Sequence, residues 1–192
     1  MAASTARKII VAARRLLERE GAEAVTMRRV ADAVGITAMA IYRHYPDRAA
    51  LLDAVADQGF EELAAKPAGK RMPAGVEPRL FKMAEIYLDH ALAHPRLFEL
   101  MFLAPRRGAR RFPRDFKAGH SPTANPFVAV VAHGMETGYL RDDDPWEITF
   151  EMGALIQGLI MLYLGGRIEG SAARFRALSR RSLRRYLHGI CR

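Results

Sequence analysis

The stretch that decides the fold is Val25 to Leu51, "VTMRRVADAVGITAMAIYRHYPDRAAL", which places two short amphipathic segments around one glycine. Gly35 lies at the turn between them, where a residue that adopts positive φ without steric cost is favoured. Ala31 is small enough to let two helices cross closely, and Ile41 can anchor the second segment in a core. This spacing predicts a helix-turn-helix, with an ordinary helical hairpin as the alternative.

Helical periodicity continues on both sides of this stretch. Residues Thr5 to Glu20, "TARKIIVAARRLLERE", repeat apolar side chains at helical spacing before a glycine. Lys66 to Pro78, "KPAGKRMPAGVEP", concentrates proline, glycine and charge, which predicts a linker. No stretch alternates convincingly with period two, so the chain is predicted to be all-α with about nine helices. The predicted organisation is a first domain over residues 1–64, a linker over 65–77 and a second domain over 78–192.

Charge and composition restrict the classes of protein to which the chain can belong. The formal net charge of +9 is compatible with a polyanionic partner. Residues 1–60 hold nine Lys/Arg against seven Asp/Glu, so the placement of those cations must explain any binding of nucleic acid there. The single cysteine, Cys191, excludes an internal disulfide and a four-cysteine metal site. We find no signal-like segment and no uninterrupted apolar run of membrane-spanning length, so we expect a cytoplasmic protein that binds no membrane.

Gly35 to Leu51, "GITAMAIYRHYPDRAAL", resembles the N-terminal domain of the TetR family of transcriptional regulators. The family pattern runs Gly, apolar, Ser/Thr, a short variable segment, apolar, Tyr, any residue, His/Tyr, Phe and, three positions later, Lys. This chain departs from it at Tyr45 and Arg48, which keep the aromatic and cationic chemistry. The close match covers about Ala22 to Val55, and the helix layout fits the family over the whole chain. The resemblance implies a three-helix helix-turn-helix DNA-binding domain, followed by a helical domain for ligand binding and dimerisation.

The segment Ala38 to His44 is the predicted recognition helix, because the second helix of a helix-turn-helix enters the major groove. Ala38 and Met39 lie at its leading end and carry no hydrogen-bonding side chain, so we expect apolar contact with thymine methyl groups there. The resemblance assigns Tyr42 and the two residues after it to the DNA backbone or outer bases. It assigns Arg48 to a phosphate.

Thr26 begins the preceding helix, where backbone N–H groups and the side chains of Arg28 and Arg29 can together hold a phosphate. The alternative for one of these two arginines is a solvated surface charge, and the alternative for Tyr42 is packing in the small core. The full set of predicted DNA-binding residues is Thr26, Arg28, Arg29, Thr37, Ala38, Met39, Tyr42, Arg43, His44 and Arg48.

The resemblance implies a dimer, and DNA geometry gives an independent reason to expect one. Two DNA-binding domains (the heads of the dimer) about 34–36 Å apart can bind successive major grooves on one face of the duplex. The last two predicted helices, Trp146 to Leu164 and Ser171 to His188, are the expected homodimer interface. The first of them contains Gly153, Ala154 and Gly158, which allow helices to approach closely.

The same resemblance implies a small-molecule pocket in the second domain. Ile86 to Phe102, "IYLDHALAHPRLFELMF", is similar to segments of one TetR subgroup marked by Trp-His-Gly, of which Ile156-Gln157-Gly158 keeps only the glycine. Mostly apolar candidates with a few polar anchors would suit a hydrophobic or amphipathic effector, and core packing is the alternative for the apolar ones. The candidates are Tyr87, His90, Phe98, Met101, Phe102, Phe127, Val131, Leu155, Gln157, Leu159 and Tyr163.

Several functions remain open from the sequence. The leading hypothesis is a ligand-released repressor, and a ligand-independent regulator or an activator is the near alternative. His90 and His94 are four residues apart near Glu85 and Asp89, so a helical metal-dependent enzyme is the alternative from another class. No Gly-rich phosphate loop or nucleophile elbow is present, so we expect no enzyme and no cofactor. The basic segment Arg106 to Lys117 is either a solvated loop or a cover over an anionic effector.

Overall fold

The computed structural model describes residues 2–67 and 71–191, and these form an all-α fold. The prediction of an all-α chain is confirmed. The described residues contain ten α-helices, one more than expected, because four residues of the basic segment form a short helix of their own. The helices are α1 (Ala2–Glu20), α2 (Met27–Val34), α3 (Ala38–Tyr42), α4 (Arg48–Ala65), α5 (Val76–Ala93), α6 (Pro95–Phe102), α7 (Arg114–Lys117), α8 (Asn125–Glu136), α9 (Pro145–Leu164) and α10 (Ala172–Ile190), with a 3₁₀ turn at Ala22–Ala24.

The first of two compact units comprises the chain up to Glu62 together with Leu92–Ala109. Its core contains Ile9, Ala13 and Leu17, which recur every four residues on one face of α1 and are fully buried. Helix α1 packs against α2 and α6, and α2 packs against α3. The small amphipathic helices are therefore held by burial of their apolar faces, because helices of this length are not stable alone.

Side-chain caps and one left-handed turn set the limits of the helix-turn-helix. Thr26 Oγ1 accepts the backbone N–H of Arg29 at 3.2 Å, and Thr37 Oγ1 accepts that of Ala40 at 3.3 Å. Gly35 has φ 75° and ψ 36°, and nothing lies within 4 Å of a Cβ built on it. Backbone conformation rather than space therefore requires glycine at this turn, as the sequence predicts.

The second unit comprises Leu63–Ala91 and the chain from Arg110 onwards. Helix α9 packs against α8 and α10. Asp144 caps α9, because its Oδ1 accepts the backbone N–H of Trp146 at 2.8 Å. Ser171 caps α10 through the N–H of Arg174 at 3.4 Å. The core of this unit includes Leu80, Val131, Leu140, Ile160, Phe175, Leu183 and Leu187, all buried.

The predicted boundaries and the compact units divide the chain differently. Helix α4 extends to Ala65, and the predicted linker includes residues 68–70, which lie outside the described residues. The segment Leu92–Ala109 belongs to the first unit by its packing, although the sequence-based division places it in the second domain. The domain limits drawn from the sequence stay a prediction.

Helix α9 is the most apolar long helix of the described residues by the membrane-span criterion of length and hydropathy. Glu147 and Glu151 interrupt the apolar run, yet an 18-residue window of the 20-residue helix has a mean hydropathy of 1.3, and the helix is long enough to cross a bilayer. Length and composition alone meet this criterion, which core helices of soluble proteins also meet. Within the described chain, several large apolar side chains of this helix are left exposed.

Candidate DNA interface and effector region

Helix α3 exposes two large side chains to solvent and is held in place by a third side chain that is buried. Ile41 is fully buried, whereas Met39 is 71% exposed and Tyr42 is 48% exposed. The alternative of Tyr42 packing in the core does not fit this exposure. The helix ends at Tyr42, earlier than the predicted His44, because the N–H groups of His44 and Tyr45 both donate to the Ile41 carbonyl in a closing turn.

The two arginines at the start of α2 have different surroundings. Arg29 donates to Glu20 at 2.9 Å and, at 3.4 Å, to the carbonyl of Ala24, so its guanidinium is bound to the end of α1 and the turn after it. Arg28 is exposed and forms no ion pair within the described part of the chain. Of these two cations, Arg29 has an ion-pair partner and Arg28 has none among the described residues, and the phosphate contact of both stays a prediction.

Arg48 holds the start of α4 against the turn that precedes α2. Its Nε donates to the carbonyl of Val25 at 2.8 Å, and its Nη2 donates to that of Ala22 at 2.6 Å. The carboxylate of Glu23 lies 3.6 Å from the same nitrogen and is almost fully exposed. The resemblance implies only a phosphate contact for Arg48, and sequence reasoning missed this positioning role because the two carbonyls are more than 20 residues away.

The segment after α6 is bound to α4 by two ion pairs. Arg106 is only 4% exposed and contacts Asp53 at 3.0 Å, with its guanidinium 5.6 Å from the centre of the Phe60 ring. Arg107 contacts the exposed Asp47 at 3.1 Å. The backbone N–H of Ala50 and then Arg107 lower the pKa of Asp47. Two arginines of the predicted basic loop therefore have structural partners, and no pattern in the sequence identifies those partners.

Three predicted effector residues, Phe98, Met101 and Phe102, lie in the first unit. Phe98 and Met101 are buried, and the Phe102 ring lies 4.7 Å from Phe98 and 5.0 Å from Phe60. A Cβ built on Gly59 would lie 2.6 Å from the sulfur of Met101, so α4 and α6 approach closely at this point. These side chains pack the interior of their own unit.

Two of the predicted effector residues, Tyr87 on α5 and Gln157 on α9, lie together in the second unit. Burial raises the pKa of the Tyr87 hydroxyl well above its usual range, and a hydrogen bond to the Gln157 side chain acts in the opposite direction. His90 is also buried, with its Nδ1 3.0 Å from the Nζ of Lys66. The α5–α9 contact therefore contains polar groups inside an otherwise apolar core.

The other predicted effector residues in this unit contribute mainly to packing. Val131 is fully buried, and the Tyr163 ring stacks on Phe175 with centroids 4.2 Å apart. Phe127, Leu155 and Leu159 are half-buried. The effector role of all eleven candidates stays a prediction.

The two histidines considered for a metal site have separate partners. His90 faces Lys66, whereas His94 Nδ1 contacts Glu18 Oε1 at 2.9 Å on α1. Helix α5 ends at Ala93, so the two histidines do not share one helical face. No group of three or more His, Cys, Asp or Glu side chains that could hold a metal ion occurs among residues 2–67 and 71–191.

Ion pairs repeated on successive turns connect α10 to α5. Arg176 pairs with Asp89, Arg180 lies 3.7 Å from Glu85, and Arg184 lies 3.8 Å from Glu77. The guanidinium groups of Arg180 and Arg184 also lie 5.3 and 5.5 Å from the centre of the Phe81 ring. A cleft of about 310 Å³ runs beneath them. These contacts fix the position of α10 along α5.

Helix α9 keeps a large apolar face open to solvent. No atom of another described element lies within 4 Å of a Cβ built on Gly153 or Gly158. Near the start of the helix, Phe112 and Phe116 from the α7 region pack on Phe150, at ring distances of 4.3 and 5.7 Å. The exposed large apolar side chains on this helix are Phe150, Met161, Leu162 and Leu164, each 40–48% exposed.

Comparison with known proteins identifies two family models over most of the chain. The model described as "Bacterial regulatory proteins, tetR family" matches residues 9–55, and "Tetracyclin repressor-like, C-terminal domain" matches residues 80–189. No curated protein matches the chain.

Solved structures of similar fold cover nearly the whole chain. A Rhodococcus sp. RHA1 protein of unknown function is 27% identical, covering 98% of this chain and 96% of its own, with a TM-score of 0.79. A putative TetR-family regulator from Mesorhizobium loti is 18% identical, covering 100% and 99%, with a TM-score of 0.72. A fatty acid degradation regulator from Bacillus halodurans is 16% identical, covering 96% and 98%, with a TM-score of 0.73. At these last two identities the likeness is one of fold.

Proposed function

We propose, from the premise that this chain belongs to the tetR family of bacterial regulatory proteins, that it is a homodimeric repressor which a small molecule releases from its operator. The chain is a DNA-binding transcriptional regulator, and its sites, its oligomeric state and the direction of regulation form the proposal. The observation that carries it is the exposure of Met39 and Tyr42 on a helix anchored by the buried Ile41. Large side chains that a fold leaves uncovered on a predicted recognition helix are best explained by a partner.

The proposed DNA contacts are of two kinds, contacts to base edges and contacts to the phosphate backbone. Ala38 and Met39 are assigned to thymine methyl groups in the major groove, because neither has a polar side-chain atom that could read a purine edge. Tyr42, Arg43 and Arg28 are assigned to backbone phosphates, since all three are exposed within the helix-turn-helix. Thr26, Thr37 and His44 would complete the contact, the two threonines mainly through the helix starts that they cap. Arg48 would act by positioning α4 as well as by its remaining charge.

The open face of α9 supports a twofold interface with a second copy. Phe150, Ala154, Gly158 and Leu162 recur four residues apart, and Met161 lies three residues after Gly158, which places them along one side of the helix. Exposed apolar side chains grouped in this way usually mark an interface. Glycines that meet nothing within the protomer would let the partner helix approach closely. With α10, this face would join two heads at the spacing of successive major grooves, about 34–36 Å.

The effector would bind in the second domain and act through the dimer. The buried Tyr87 and the half-buried Gln157 beside it support an amphipathic molecule, whose polar group could hydrogen-bond to these two side chains while its apolar part fills the surrounding core. The proposed effector would bind more tightly when the two DNA-binding domains are arranged in a way that does not fit DNA. Such a ligand lowers the affinity for DNA by the factor by which it prefers that arrangement. A ligand-independent regulator remains the near alternative. No enzymatic activity is proposed, and a DNA-binding regulator is expected in the cytoplasm.

The proposal is tested by selecting duplexes from a random-sequence pool with the purified full chain. We expect recovery of a sequence with two related half-sites about 10 base pairs apart, or a multiple of that, bound by two protomers. Its affinity should fall steeply as salt rises, because phosphate contacts release counterions. Titrating a panel of amphipathic compounds into the complex should reveal at least one that dissociates it. Recovery of no preferred sequence, or of a single half-site bound by one protomer, would contradict the proposal.

A further inference from the structure

A groove between α1 and α2 in the first unit carries positive charge that the proposed DNA contacts do not use. It is open to solvent, with a volume of about 700 Å³. No carboxylate of the described residues lines it. It is lined by the cations Arg7, Lys8 and Arg15 and by the apolar residues Val11, Ala12, Ala33 and Val34.

The groove cations differ from their neighbours because they lack carboxylate partners. Arg14, on the same helix, pairs with Glu18 and Glu62. Arg29 of α2 pairs with Glu20. Within the part of the chain that the structure describes, Arg7, Lys8 and Arg15 form no ion pair and are exposed. Three unneutralised cations on one groove favour an anionic partner with several charges.

The groove adjoins the elements that carry the proposed DNA contacts. The hydroxyl of Tyr45, the residue after His44, donates to the Ala6 carbonyl at 3.5 Å, so the start of α1 lies against the end of the recognition segment. Ala33 and Val34, at the C-terminal end of α2, line the groove, and they directly precede the turn at Gly35 that leads into α3. Arg7 and Arg15 are eight residues apart, which corresponds to about 12 Å along the helix. That length matches three to four base pairs of DNA at about 3.4 Å each.

We propose that this groove binds the sugar-phosphate backbone of DNA beside each half-site, so that Arg7, Lys8 and Arg15 extend the contact beyond the base pairs read by α3. The inference rests on the proposed function, since it adds a flanking contact to the same head. The cations would neutralise phosphates, and the apolar residues that line the groove would pack against the sugars between those phosphates. The contact would add affinity on any flanking sequence and would not change the preferred half-site.

The test compares single variants on two lengths of the duplex that the wild-type protein selects. One duplex ends at the half-sites, and the other extends them by about ten base pairs on each side. Arg15→Gln removes a groove cation. Arg19→Gln is the matched control, because it removes an exposed cation without an ion-pair partner among the described residues, one turn further along the same helix and outside the groove. Arg15→Lys restores the charge, and thermal melting verifies that each variant folds.

The readout is the slope of log affinity against log salt between about 50 and 200 mM. On the long duplex, Arg15→Gln should lower the magnitude of this slope by about 0.9 for each phosphate that is no longer neutralised. Over that salt range, the affinity of the variant should therefore fall by a factor about three- to fourfold smaller than that of the wild type. Arg15→Lys and Arg19→Gln should keep the wild-type slope, and all variants should agree on the short duplex. Equal slopes for wild type and Arg15→Gln on the long duplex, or an equal decrease with Arg19→Gln, would overturn the flanking contact. Neither outcome would affect the proposed function, which depends on binding by the wild-type protein.

Discussion

Within α3, some side chains hold the helix in place and others face solvent. The buried Ile41 fixes the helix, so the exposed Met39 and Tyr42 are held in place without being covered. Thr37 fixes the start of the same helix through the N–H of Ala40. Residues that hold the helix and residues that face outward therefore alternate within a few positions, and substitutions in the two groups should have different effects.

Met39→Ala should change which base pairs are preferred, because Met39 is assigned to thymine methyl groups. Tyr42→Ala should weaken binding by a similar factor on every sequence, because Tyr42 is assigned to the backbone. Removing one base contact is expected to cost about 1–3 kcal/mol. Titration of each variant against the selected duplex and against single-base-pair variants of it measures the difference. If Tyr42→Ala changed the order of preference and Met39→Ala did not, the two assignments would have to be exchanged.

At the scale of elements, helix limits were largely predictable and helix partners were not. The helix start at Thr26 and the turn at Gly35 were predicted from local sequence, and the structure confirms them because each depends only on residues nearby in the chain. The long-range contacts of Arg48 and Arg106 were missed, because hydrogen bonds to carbonyls and carboxylates far along the chain leave no periodic signal. The DNA contacts of the α3 residues remain predictions, since they depend on a partner outside the chain.

Gly134 on α8 marks a contact between elements that cannot accept a side chain. A Cβ there would lie 2.9 Å from Leu140 and 3.0 Å from Val76. Gly134→Ala should therefore destabilise the protein by about 1–3 kcal/mol through overpacking. Gly189→Ala near the end of α10 meets nothing within 4 Å and should be neutral or stabilising by up to about 1 kcal/mol. Urea unfolding of both variants measures this difference, and equal stabilities would show that α8 has room to shift.

The α7 segment should loosen in acid. A hydrogen bond from Arg114 and then the N–H of Arg111 lower the pKa of Asp115 from 3.8 to about 2. Because the folded-state pKa is depressed, the stabilisation is present above pH 3.8 and is lost as the pH falls towards 2. NMR titration of the Asp115 carboxyl should give a midpoint near 2, and the Phe112 ring signals should shift over the same range. In Asp115→Asn the Phe112 shift should be absent, and a wild-type midpoint at or above 3.8 would refute the interpretation.

At the scale of the whole molecule, the open face of α9 would decide in the proposed dimer whether one DNA-binding domain or two reach the DNA. Leu162→Glu should weaken self-association by about 2–5 kcal/mol, because a charge would be buried without a partner. Operator affinity should fall with it, since the second head would no longer be tethered. Leu103→Glu is the matched control, because Leu103 is 38% exposed but lies outside α9. Sedimentation equilibrium measures self-association, and dimers of equal strength in the two variants would move the interface elsewhere.

The pairing of Arg29 with Glu20 has a consequence for how the regulator finds its target. Sequence-independent attraction to DNA grows with the number of phosphates that a protein neutralises. While Arg29 stays paired with Glu20 it neutralises no phosphate, so we expect each stay on non-operator DNA to be shorter. We therefore expect a variant without Glu20 to hold non-operator DNA more tightly and to reach its operator more slowly.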